Sequence, residues 1–279
     1  TGMGGAPKTD IYIKALETNS KTIKEFKISC KKENAAFFEN KLKADRTEQI
    51  FGVNWQSIIA SHIGDITKEF SLRKLYCPKK YASIKYDGTF TLGWRVEIAE
   101  EGKRPRALSK RLHYSPNTFM EIVSGSRLPP RLRDAKVKGE IISNSGIANY
   151  ILKTSPEKTL AYQDIFDQLQ AVSDYILNNP PILHLVFLAQ NYCAVDKKQH
   201  GGTNRTLAVK VDWQKHGYTL SPEPNYQYPM SNSSNDVVDE LRSALGALSI
   251  SDGPNFPIDK MAQMISNENL VEWRGYENL

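Results

Sequence analysis

An α/β fold with a mixed central sheet flanked by helices is the architecture this sequence predicts. Three observations lead to it. Residues 4–32 alternate in the manner of a β-hairpin, residues 47–70 carry an apolar stripe at helical spacing, and residues 182–193 are the most hydrophobic run in the chain. Strand and helix patterns that alternate in this way build layered α/β domains.

The hairpin comes first and carries the chemistry. Residues i and i+2 of a strand point to one face, so Glu25 and Lys27 project together while Phe26 and Ile28 face the other way. Glu17, Thr18, Asn19 and Ser20 are polar and turn-prone, and a turn there brings Asp10 opposite the Glu25 region. Two carboxylates and a lysine then meet at one sheet edge, a D…ExK constellation suited to phosphodiester hydrolysis. Asp10 and Glu25 offer the hard oxygens that Mg²⁺ prefers. The metal polarises a phosphate oxygen and acidifies a bound water. The Lys27 ammonium orients that water and stabilises charge developing in the transition state. Carboxylate-x-lysine triplets also occur at Glu101/Lys103, Asp134/Lys136 and Asp196/Lys198, so the spacing alone does not single out a site. Asp196/Lys198 is the strongest competitor because it ends a buried strand. No acidic strand partner precedes it at hairpin distance.

Past the hairpin, residues 34–42 place Phe37, Phe38 and Leu42 at helix-like spacing. Residues 47–70 do so better, with Ile50, Trp55, Ile58, Ile59, Ile63 and Ile66 on one stripe and Gly52 and Gly64 as interruptions. His62 in this segment reads as a structural histidine, since metal-dependent cleavage needs no imidazole base. Residues 81–86 and 89–99, around Asp87-Gly88, predict a hairpin.

Residues 100–139 hold the densest positive charge among prolines and glycines, which predicts a basic, loop-rich arm. Arg104, Arg106, Arg127, Arg131 and Arg133 are its candidate DNA contacts, since arginine suits both phosphate clamping and guanine recognition. Ser155-Pro156-Glu157 starts a helix that runs to Leu177. Residues 182–193 form a central, doubly covered strand, followed by strands at 206–213 and 218–220. The loop between them supplies a second group of candidate contacts, Lys197, Lys198, Gln199, His200, Asn204 and Arg205, of the types that pair with base edges. Lys31 and Lys32, just past the ExK triplet, are placed to meet a phosphate. Residues 221–235 read as irregular, 236–248 as an amphipathic helix, and 256–279 as a last helical piece with a Trp-Arg-Gly-Tyr run.

A chain of 279 residues is long enough for one large domain. The reading is a single nuclease domain over 1–279: catalytic hairpin and covering helices (1–99), basic arm (100–139), and the second half of the core with a carboxy-terminal DNA-contact region (140–279). Mean hydropathy of −0.48 and the lack of an apolar run long enough for a span exclude a helical membrane protein. A net charge of +6 favours a polyanionic partner. Cys30, Cys77 and Cys193 include no C-x-x-C pair and no His at zinc spacing, which predicts reduced thiols and no structural zinc. With no signal peptide pattern, a cytoplasmic location is expected.

The run Gly4-Gly5-Ala6-Pro7-Lys8-Thr9-Asp10, followed by Glu25-Phe26-Lys27-Ile28-Ser29-Cys30-Lys31-Lys32, resembles the active-site segment of PD-(D/E)xK type II restriction endonucleases, in particular the MspI branch. That branch can carry Asn where this chain has Glu25, so the chain is nearer the general superfamily form. These enzymes also place a helix before the first catalytic strand, and here only nine residues precede Asp10. Either an amino-terminal region is missing or another part of the chain supplies the helix. The resemblance implies a restriction-endonuclease-like fold in a bacterial or archaeal protein. It implies Mg²⁺ on Asp10 and Glu25, with Lys27 catalytic and double-stranded DNA as substrate. A companion methyltransferase and a possible homodimer are implied too. Two other readings stay open: a structure-specific repair nuclease of the same superfamily, and a DNA-binding module without cleavage.

Overall fold

The computed structural model describes residues 6–32, 38–80, 84–100, 107–155, 161–178, 180–196, 204–266 and 269–270. In chain order, β1 (Ile11–Leu16) and β2 (Ile23–Lys32) form the amino-terminal hairpin, followed by α1 (Ala44–Phe51), α2 (Trp55–Asp65) and α3 (Thr67–Ser71). β3 (Tyr76–Cys77), β4 (Thr89–Ala99) and β5 (Leu108–Arg111) lead to α4 (Pro116–Ser124), α5 (Pro130–Arg133), β6 (Lys136–Val137) and β7 (Glu140–Ile141). Next come β8 (Tyr150–Thr154), α6 (Tyr162–Gln168), β9 (Leu169–Ala171), α7 (Val172–Asn178) and β10 (His184–Cys193). The last described elements are β11 (Thr206–Leu207), β12 (Val209–His216), β13 (Thr219–Asn225), β14 (Asn232–Ser233), α8 (Ser234–Gly246) and α9 (Ile258–Met264).

The chain is mixed α/β, but its strands sort into two principal sheets where the sequence predicts one. The smaller sheet, in the order β1-β2-β8-β9, is the mixed one: β2 and β8 run parallel and the other pairs antiparallel. A parallel pair needs a long crossover, and the chain from Lys32 to Tyr150 provides it. The larger sheet, β13-β12-β4-β10-β5 with β3 on β4, is antiparallel throughout.

β10 is the central strand the sequence predicts, paired with β4 on one side and β5 on the other. On β4, Phe90, Leu92, Trp94, Val96 and Ile98 are all buried in one hydrophobic cluster that extends from Phe38 to Ile265. Phe70 of α3 anchors it, with its ring 4.9 Å from Trp94 and 5.5 Å from Phe187.

Several elements depart from the sequence reading for physical reasons. β4 takes Tyr76–Cys77 as its hairpin-side partner rather than 81–86; residues 81–83 lie outside the described residues. Residues 38–39 are not helical: Glu39 bridges to Ile98 at the edge of β4. The stripe over 47–70 breaks into three helices, the first ending at Gly52, whose φ of 78° is open to glycine at little cost. The helix expected over 155–177 is interrupted because residues 169–171 pair with β8 and satisfy its open edge. Of the region 100–139, residues 101–106 lie outside the described residues, and in the rest α4 buries Phe119, Ile122 and Val123 within the core, where the sequence predicts a loop-rich arm. α8 starts two residues before the predicted 236, where Ser233 and Asp236 cap each other's backbone N–H groups. No helix among the described residues is long and apolar enough to cross a membrane.

Candidate active site

The hairpin forms as its alternation predicts, but its register sets the three predicted groups apart. Ile11 pairs with Ile28, Tyr12 with Lys27, Ile13 with Phe26 and Lys14 with Glu25. The turn closes with the Glu17 N–H on the Thr22 carbonyl at 2.9 Å. Lys14, not Asp10, therefore stands opposite Glu25. The Asp10 N–H donates to the Ile28 carbonyl at 2.8 Å and its Oδ2 accepts from the Cys30 N–H at 2.7 Å, so Asp10 brackets Ser29. Four residues along β2 separate Ser29 from Glu25, about 13 Å at strand rise. A single ion cannot span that distance, so the expected sharing of one metal by Asp10 and Glu25 gives way. The Glu25 carboxylate instead accepts the Tyr12 hydroxyl, a bond that raises the phenol's pKa. The Lys27 ammonium donates to the Asn144 carbonyl at 3.2 Å.

Asn149 fastens β2 here. Its side-chain oxygen accepts the Lys27 N–H at 2.7 Å, its amide donates to the Glu25 carbonyl at 2.9 Å, and its own N–H reaches the Lys27 carbonyl at 2.9 Å. These bonds tie β2 to the chain just before β8 begins.

Residues 6–10 are held just as firmly. The N–H groups of Lys8 and Thr9 both point at the Gly146 carbonyl, at 2.9 and 3.3 Å. The Lys8 stem passes so close to Gly125 that a Cβ there would lie 2.7 Å from Lys8 Cγ, and that glycine's φ of +73° adds a second reason for the missing side chain. The Lys8 ammonium meets Glu39 at 2.5 Å. Arg46 of α1 joins Glu39, also at 2.5 Å, to the fully buried Glu121 of α4. Glu121 further accepts the Ser126 hydroxyl at 2.8 Å and the Arg127 N–H. Two cations and two carboxylates thus form a buried, neutral quartet two residues from Asp10.

The quartet makes stability pH-dependent. Burial pushes the Glu39 carboxyl upward, but the Lys8 and Arg46 charges outweigh it and hold Glu39 below the usual carboxylate range. The unfolded chain then binds more protons than the folded one as pH drops through the ordinary Glu value of about 4.3. Stability from Glu39 is present above that value and is lost as pH falls toward the folded one. Urea midpoints measured from pH 7 down to pH 3 are expected to fall most steeply below about pH 4. Glu39→Gln should flatten that dependence.

Around Asp10 the donor set fits a partly hydrated Mg²⁺. Asp10 is exposed, and of its carboxylate only Oδ2 is engaged among the described residues. The buried hydroxyls of Thr9 and Ser29 have no hydrogen-bond partner among the described residues. Mg²⁺ keeps several waters and needs only one or two carboxylates, so Asp10 and its neighbours could hold it. Among the described residues no three His, Cys, Asp or Glu side chains converge.

The DNA-contact candidates divide. Arg104, Arg106, Lys197, Lys198, Gln199 and His200 lie outside the described residues. Arg133 of α5 is paired with Asp134 at 3.2 Å, and its carbonyl accepts the N–H of Gly146, the same residue that holds Lys8 and Thr9. Arg131, on the same helix, is exposed. α5 therefore stands beside the head of the hairpin. Arg127 donates to the Gln49 carbonyl at 3.2 Å. Arg205, just before β11, lies near Arg95 of β4, with its pKa lowered by burial and by that neighbouring charge, and Asn204 beside it is exposed. Lys31 is half-buried and Lys32 exposed at the end of β2.

Sequence reading missed the quartet and Asn149. Glu121 gave a signal: it is a lone charge inside the apolar run Phe119-Met120-Glu121-Ile122-Val123, and such a charge is buried only when paired. No protein-family model matches the chain, and neither the curated proteins nor the solved structures provide a significant match.

Proposed function

We propose that the chain is a Mg²⁺-dependent, sequence-specific double-stranded DNA endonuclease of the type II restriction kind, with a restriction-endonuclease-like arrangement of its smaller sheet. The observation that carries the reading is the placement of Asp10: an exposed carboxylate with one oxygen tied to β2 and the other open, on a segment that is itself rigidly anchored. β2 beside it ends in Lys31 and Lys32, cations suited to a phosphate backbone. The resemblance of residues 4–10 and 25–32 to the active-site segment of those enzymes supplies the reaction class.

Bound Mg²⁺ would supply a polarised phosphate and an acidified water. Asp10 would hold the ion, and Lys32 at the end of β2 would contact the scissile strand. Arg131 and Arg133 flank that approach, while Arg205 and Asn204 are the described candidates for more distant contacts. A restriction role brings with it a companion methyltransferase that protects host DNA, and a homodimer would allow both strands of a palindrome to be cut.

Incubation of the protein with supercoiled plasmid and Mg²⁺ tests the reading. Discrete linear fragments that vanish with EDTA are the expected result. Products limited to branched or nicked substrates would point to a repair nuclease, and retarded but uncut DNA to a binding module.

A further inference from the structure

We propose that the amine acting at this site is Lys31, with the Ser29 hydroxyl beside it, and that Lys27 takes no part in bond cleavage. The proposal rests on reading Asp10 as the metal ligand of a phosphodiester-cleaving site.

The register carries it. Asp10 brackets Ser29, and the pleat puts Lys27, Ser29 and Lys31 on one face of β2. Lys27 and Lys31 are each two residues from Ser29, so strand distance alone does not choose between them. Two observations do. The Asp10 carboxylate reaches past Ser29 to the Cys30 N–H at 2.7 Å, which tilts it toward Lys31. Lys27 Nζ is already bound to the Asn144 carbonyl at 3.2 Å, whereas Lys31 has no hydrogen bond or ion pair among the described residues. Lys8, the other nearby amine, is committed to Glu39 at 2.5 Å.

Ser29 adds an independent sign. It is 1% exposed, and its Oγ has no partner among the described residues; the Oγ1 of Thr9, next to Asp10 in the chain, is likewise buried and unpaired among them. An unmade hydrogen bond of this kind is costly inside a folded protein. Two of them beside one open carboxylate mark a place completed by hydrated ion or phosphate oxygen.

In the reaction, the water oxygen bonds to phosphorus as the bond from phosphorus to the leaving sugar oxygen breaks. The water gives a proton to solvent, and the leaving oxygen takes one from solvent. Lys31 stays an ammonium throughout, orienting the water and stabilising charge on the phosphorane.

The test compares wild type, Lys31→Ala and Lys27→Ala on supercoiled plasmid in Mg²⁺, with plasmid binding measured in Ca²⁺ and thermal midpoints recorded. Lys31→Ala is expected to cleave at least about 100-fold more slowly, with binding and midpoint close to wild type. Lys27→Ala should cleave within about threefold of wild type, as expected for a side chain outside the reacting atoms. If Lys31→Ala unfolds, Lys31→Gln keeps most of the stem and tests the charge alone. Wild-type rates in both Lys31 variants, or equal loss in Lys27→Ala, would overturn the assignment while leaving the nuclease reading in place. A wild type that cuts nothing in Mg²⁺ would remove that reading and this inference with it.

Discussion

Replacing Asp10 by Asn should lower the rate of Mg²⁺-dependent DNA cleavage by about a thousandfold, because a metal ligand's charge supplies several kcal/mol of transition-state stabilisation and each 1.36 kcal/mol is tenfold. The substitution is informative because it leaves the local structure its bond: Asn still presents a side-chain oxygen to the Cys30 N–H. Asp10 is exposed and outside the buried quartet, so the thermal midpoint should stay close to wild type. Rate constants on plasmid and a melting curve on the same preparation separate lost chemistry from lost fold. Asn in place of Asp with full activity would mean that the ion, if one is used, is held elsewhere.

The second large effect is on stability. Glu121→Leu should destabilise the protein by about 3–5 kcal/mol, the range for breaking a buried charge pair from one side. Glu121 is fully buried, and its loss leaves Lys8 and Arg46 sharing Glu39 alone, so a neutral quartet becomes a net cation. The Arg127 N–H and Ser126 hydroxyl lose their acceptor as well. Chemical denaturation measures this directly. The Lys110–Asp65 pair is the control: at 3.1 Å it is well formed, but its side chains are 43% and 49% exposed. Asp65→Asn should therefore cost less than about 1 kcal/mol. Because Lys8 is two residues from Asp10, Glu121→Leu should also slow cleavage at temperatures where the variant is still folded.

Much of the architecture was legible where a local pattern had only one solution. The alternation within residues 4–32 predicts the hairpin, and the apolar run at 182–193 predicts β10 as a central strand. The register of the hairpin was less legible. Leu16 and Ile23 at its turn end are exposed, so no buried face fixes the pairing there. The Glu17–Thr22 closure then sets which residue faces Glu25. The division into two sheets was also hidden, since it rests on β8 pairing with β2 across the long crossover from Lys32 to Tyr150, and the edge strand β9 interrupts a segment whose spacing reads as helix. Ion pairs between residues 31 and 75 positions apart in the chain have no local signature beyond the isolated Glu121.

The most direct measurement is to digest a DNA of known sequence with wild type and Asp10→Asn in parallel, in Mg²⁺, and to sequence every end produced. A metal-dependent site at Asp10 predicts that wild-type ends all share one short duplex sequence and that the variant yields none above background. Ends scattered without a common sequence, no ends at all from wild type, or the same ends from both proteins would contradict it.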